Sequence, residues 1–223
     1  MSQSLRDLLV DIETNIRNGE RALAKAKLSK IEVKKIPREL RAQAAQASRR
    51  AGLADFAIRI LHPLVRQESA VSSSPPSDIE LSEYAASLMS IGALEEAKNL
   101  LNSIRKSESA EPLLFSAFCH IYEWNYEAAI PLFEKFLKIN KAPYQILVAK
   151  LNLAAALIVE ERSKEALILL KELEGEARSQ NLSQLLINTL EVSAQAALFS
   201  GKIEEATNYL KEAELFHASS ADP

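Results

Sequence analysis

The sequence predicts an all-α fold built from about six antiparallel helical hairpins, and three observations carry that prediction. Ala, Leu and Glu are the three commonest of the 223 residues, while glycine numbers five and aromatic residues make up 6%. These are strong helix formers, and the residues that favour strands are thin. One eleven-residue phrase recurs six times. Most prolines fall in the intervals between these phrases, where a helix must stop.

The phrase reads "NGERALAKAKL" at 18–28, "AGLADFAIRIL" at 51–61 and "IGALEEAKNLL" at 91–101. It returns as "EWNYEAAIPLF" at 123–133, "EERSKEALILL" at 160–170 and "SGKIEEATNYL" at 200–210. The seventh place is always Ala (Ala24, Ala57, Ala97, Ala129, Ala166, Ala206), and the last is always large and apolar (Leu28, Leu61, Leu101, Phe133, Leu170, Leu210). Gly holds the second place in four of the six, at Gly19, Gly52, Gly92 and Gly201. A left-handed glycine can end one helix there, and acids just after it suit the positive end of the next helix dipole. The large residue four places beyond Ala shares its helix face and fills the core. The phrase is therefore the hinge of a hairpin. Trp124 stands where other phrases carry Gly, which predicts a distorted turn or an exposed anchor.

The alanines are spaced by 33, 40, 32, 37 and 40 residues. A two-helix unit with a period near 34 resembles the tetratricopeptide (TPR) repeat. That family pairs a small residue in the first helix with an Ala twelve places later. Twelve before the last five alanines stand Ala45, Ala85, Ala117, Ala154 and Ala194, with Ile12 the exception. Small residues on both helices permit close approach. The family's Trp, Tyr and terminal Pro positions are mostly unmet. The resemblance spans roughly residues 4–217 and implies a right-handed α-solenoid with the first helices of successive repeats lining a concave groove.

Proline fits the frame. Pro37, Pro75, Pro76, Pro112 and Pro143 fall between repeats, Pro131 near the start of the fourth second-helix, and Pro63 late in the second. "QESAVSSSPPSD", residues 67–78, reads as an inserted Ser/Pro-rich loop between two repeats in 4–66 and four in 79–217, with a tail at 218–223. "GEARSQNLS", 175–183, is expected to lengthen its flanking helices. Residues 1–66 hold 14 Lys and Arg against 7 acids, leaving 13 against 23 in the remainder, so a basic front precedes an acidic rear.

Chemistry is sparsely signalled. Cys119 is the only cysteine, which excludes an internal disulfide, and His62, His120 and His217 show no metal-ligand spacing. No phosphate loop or nucleophile elbow is present. No catalytic residue, metal or cofactor is assigned, and the chain is read as not an enzyme. The amino-terminal residues do not read as a signal peptide, and no stretch has the roughly 18 apolar residues of a membrane span. A cytoplasmic location and no membrane insertion are expected.

Two surfaces are candidates for binding. In the family frame, the groove places lie 15, 11 and 8 residues before each second-helix alanine. In repeats four and five they are Leu114, Phe118, Ile121, Leu151, Ala155 and Ile158, an apolar strip suited to an amphipathic helix or apolar peptide, unless the chain itself covers it. Repeat two places Ala42, Gln46 and Arg49 there, and the last repeat Glu191, Gln195 and Leu198. The second surface is basic: Arg38, Arg41, Arg49 and Arg50 could contact an acidic partner. Eight of the thirteen aromatic residues lie between Phe115 and Tyr144.

The resulting expectation is a non-catalytic protein–protein interaction module, an adaptor or scaffold, binding a protein or peptide through the concave groove. Two alternatives stand beside it. One is a self-assembling subunit that dimerises through its last hairpin, and the other is a nucleic-acid-associated regulator acting through the basic front.

Overall fold

The computed structural model describes residues 2–66, 74–104, 107 and 109–221. Among these, the regular elements are twelve α-helices and one 3₁₀ turn, Val33–Lys35. The helices are α1 (Ser2–Arg17), α2 (Arg21–Leu28), α3 (Arg38–Arg50), α4 (Ala54–Val65), α5 (Asp78–Ser90) and α6 (Leu94–Ser103). They continue as α7 (Glu111–Tyr122), α8 (Tyr126–Ile139), α9 (Pro143–Val159), α10 (Ser163–Ser179), α11 (Ser183–Phe199) and α12 (Ile203–Ala221). Each odd-numbered helix ends at one of the six phrases, and the next helix starts within it.

The hinges share one backbone solution. Gly19, Gly52, Gly92 and Gly201 all have φ between 71° and 85°. The remaining two hinges reach the same left-handed region without glycine, at Trp124 (φ 60°) and Glu161 (φ 58°). In every hinge the next residue's N–H donates to the carbonyl five places back. The pairs are Glu20–Asn15, Leu53–Ser48 and Arg162–Leu157 at 2.8 Å, and Ala93–Leu88, Asn125–His120 and Lys202–Ala197 at 2.9 Å. This bond satisfies a carbonyl left open where the helix ends. Asn181 (φ 53°) builds the same turn between α10 and α11, closed by Leu182 N–H on the Ala177 carbonyl at 2.9 Å. The stretch at 175–183 thus extends α10 to Ser179 before turning.

The chain forms two compact units, the first from residues 1–16 and 20–119 and the second from 17–19 and 120–223. In the first, α3 packs on α4 and α5, and α5 also packs on α4 and α6. Its core includes Leu9, Ile12, Leu28, Ile60, Leu61 and Leu64, all fully buried. In the second unit, α9 packs on α8, α10 and α11, and α12 packs on α11. Phe133, Phe136, Leu173 and Leu190 are fully buried there. The alanine frame holds throughout, because Ala45, Ala57, Ala85, Ala97, Ala117, Ala129, Ala154, Ala166, Ala194 and Ala206 are all buried.

The charge changeover at 67–78 does not coincide with a unit boundary, because α3 and α4 pack on α5 across it. Residues 67–73 of the Ser/Pro-rich stretch lie outside the described residues. Pro131 is the sixth residue of α8, beyond the turn in which a missing N–H is free of consequence. Its ring and Glu127, whose carbonyl loses that donor, are both exposed, so water can replace the bond. Pro63 lies two residues before the end of α4, which continues past it to Val65.

Candidate partner-binding surfaces

The four arginines of the basic front are engaged within the first unit. Arg38 reaches from α3 to Glu80 of α5, with Nε at 3.3 Å and Nη2 at 3.2 Å, and donates to the carbonyls of Ser74 (3.0 Å) and Pro75 (2.7 Å). Arg41 is buried and donates to the carbonyls of Ile36 (3.3 Å) and Ile60 (3.0 Å). Burial lowers its pKa. Arg49 holds Glu83 at 2.5 and 3.2 Å and lies 5.4 Å from the centre of the Phe115 ring. Arg50 pairs with Glu13 of α1. These groups tie helices together, so they offer an acidic partner or a phosphate backbone little that is not already used.

Glu80 was not singled out by the sequence reading, although Ser77-x-x-Glu80 before a helix is a capping-box pattern. The Glu80 N–H donates to Ser77 Oγ at 3.2 Å, and the Ser77 N–H donates to Glu80 Oε2 at 2.7 Å. Glu83 left no local signal. Burial pushes its pKa up, Arg49 and more weakly Arg50 oppose that, and Glu111 adds to it.

The apolar strip is largely absorbed by packing. Leu114, Leu151 and Ile158 are buried, and Phe118, Ile121 and Ala155 are half-buried. Phe118 packs against the core of the first unit. For α9 the reason is direct: α8, α10 and α11 surround it, and no residue from Tyr144 to Ile158 is fully exposed. The corresponding places on α11, Glu191, Gln195 and Leu198, are exposed.

Among the described residues, the most exposed large apolar side chain is at the fourth hinge. Trp124 is 81% exposed and Tyr122 59% exposed. The Trp124 N–H donates to the carbonyl of half-buried Ile121 at 3.0 Å, which fixes the turn. Asn125 Oδ1 accepts from the Ala128 N–H at 3.1 Å and starts α8. The indole meets Tyr126 edge-on, with ring centres 6.3 Å apart. One residue further, Glu127 lines a shallow cavity of about 460 Å³ with Ile130, Pro131, Glu134, Glu160 and Arg162. Arg162 is turned toward Glu165, its Nε 2.7 Å and its Nη2 2.8 Å from that carboxylate.

His62, His120 and Cys119 have structural surroundings. His62 Nδ1 lies 2.9 Å from the Tyr84 hydroxyl. His120 Nδ1 is 3.8 Å from the Glu123 carboxylate. Cys119 is buried, with Sγ 3.7 Å from Met89 Sδ. Among the described residues, no group of three or more His, Cys, Asp or Glu could hold a metal ion, and no helix is long and apolar enough to cross a membrane.

No family model matches the chain, and no curated protein matches its sequence. Solved structures do. A putative kinesin light chain of Podosopora anserina with nearly identical TPR-like repeats superposes with a TM-score of 0.58 at 20% identity, covering 82% of this chain and 95% of that one. A Rap protein complexed with competence and sporulation factor gives 0.57 at 15% identity, over 100% of this chain and 68% of that one. MamA gives 0.54 at 18% identity, over 79% and 96% respectively. At these identities the likeness is one of fold. The chain has the tetratricopeptide-type fold, a solenoid of antiparallel helical hairpins.

Proposed function

We propose that this chain is a non-catalytic protein-interaction module, an adaptor or scaffold, that meets a protein or peptide partner at its fourth hinge. The contact surface is Trp124 and Tyr122, with Ile121 and Tyr126 behind them. One observation carries the reading: Trp124 is unfavourable for folding on two counts. Its left-handed backbone disfavours any side chain bearing a Cβ, and four sister hinges use Gly. Its indole, the largest apolar group in the chain, is left in water. A residue that opposes stability locally and packs little in return marks a functional place. A rigid aromatic on an ordered turn is also the kind of anchor that dominates binding energy at protein interfaces.

The fold supports the reading, since it presents surface without building a reaction centre, and the Rap structure is that of a protein in complex with a factor. The test compares wild type and Trp124→Gly as immobilised bait in source lysate. Proteins retained by wild type and lost by the variant support the proposal, provided the variant is folded. Identical retention refutes it.

A further inference from the structure

The sixth hairpin leaves open two places that the fifth hairpin buries. Leu170 and Leu210 stand four residues beyond Ala166 and Ala206, yet their exposures are 3% and 44%. Ile158 and Leu198 stand eight residues before those alanines, at 1% and 52% exposed. On α12, Ile203 lies seven residues before Leu210 on the same helix stripe and is 71% exposed. A spacing of seven residues is about 10 Å along a helix, or two turns. Such a patch matches the i, i+3/i+4, i+7 anchors of an amphipathic helix.

Charge decides which helix fits. Following the stripes away from the hinge, Leu198 leads through Gln195 to Glu191 on α11, and Leu210 leads to Glu214 on α12. Both acids are exposed, and neither is held in an ion pair among the described residues. Of the nearby lysines, Lys202 pairs with Glu205 at 3.0 Å, which leaves Lys211 as the opposing charge on this hairpin face. A second copy docked by the same hairpin is a poor match, since it would set Glu191 and Glu214 against the same acids, and the arginines of α3 are held internally. We infer that this face docks an amphipathic helix of a partner protein whose apolar residues cover Leu198, Ile203 and Leu210 and whose Lys or Arg residues, one to two turns further along, meet Glu191 and Glu214. The inference is independent of the Trp124 site.

The test uses the full chain and a fluorescein-labelled 18-residue helical peptide with Leu at i, i+3 and i+7 and three Lys in its last two turns. Fluorescence anisotropy at low salt should show saturable binding. A peptide with Glu in place of Lys should bind at least about tenfold more weakly. Leu198→Gln with Leu210→Gln should weaken the Lys peptide about tenfold or more, with helicity and melting temperature kept as the check on folding. Equal binding of the two peptides, or binding untouched by the double substitution, overturns the inference. So does equilibrium sedimentation showing wild-type self-association that the double substitution abolishes, because the occupant is then a second copy.

Discussion

Arg49 and Glu83 join α3 to α5 through two hydrogen bonds, Nε to Oε1 at 2.5 Å and Nη2 to Oε2 at 3.2 Å. The carboxylate is buried and the guanidinium mostly so. Removing one partner of such a pair leaves a charge without its counter-ion in a poorly solvated place. Arg49→Met, which leaves the buried Glu83 carboxylate without its counter-ion, is expected to destabilise the protein by about 2–4 kcal/mol at neutral pH, read from denaturant unfolding.

The pH dependence of the pair, read against Glu83→Gln, has a definite sign. Burial raises the folded-state pKa of Glu83 above its unfolded value of 4.5. Its contribution is therefore fully present below about pH 4.5 and is lost as pH rises through the folded value. The stability of wild type relative to Glu83→Gln should fall from pH 4.5 upward. A relative stability that rises instead would mean that attraction to Arg49 outweighs desolvation.

The hinges make a paired prediction. Trp124→Gly and Glu161→Gly each relieve a left-handed residue that bears a Cβ, and each should stabilise by about 0.5–1 kcal/mol after the added freedom of the unfolded chain is subtracted. Gly92→Ala should destabilise by a similar amount for backbone reasons alone, since an added Cβ there meets nothing within 4 Å. Equilibrium unfolding of the three variants checks the set.

Equivalent places should also differ in worth. Leu170→Ala empties a fully packed site and should lose about 2–4 kcal/mol. Leu210→Ala removes a half-exposed side chain and should lose about 1 kcal/mol or less. Equal losses in denaturant unfolding would show that the sixth hairpin is packed like the fifth.

Much of this fold was legible because its signals are local. The hinge glycines and the alanines twelve residues apart each sit within one hairpin. The binding surface was less legible because it depends on which neighbour covers which side chain. Nothing near Arg49 announces that Glu83, 34 residues later, takes its charge. Likewise Leu151 and Ile158 look like groove residues until α8, α10 and α11 close around α9. Trp124 is marked in both sequence and structure, as a break in the glycine pattern and as an exposed ring on a left-handed turn.

Trp124 is also the only tryptophan in the chain, so its emission reports on this site alone. In the free protein the indole should emit as a hydrated ring, with a spectrum that shifts little on unfolding. The most direct measurement is a titration of the native chain with the protein that Trp124→Gly fails to capture, following emission maximum and acrylamide quenching. The account predicts a blue shift and protection from quencher that saturate with binding. Binding with the indole still hydrated and freely quenched would contradict it.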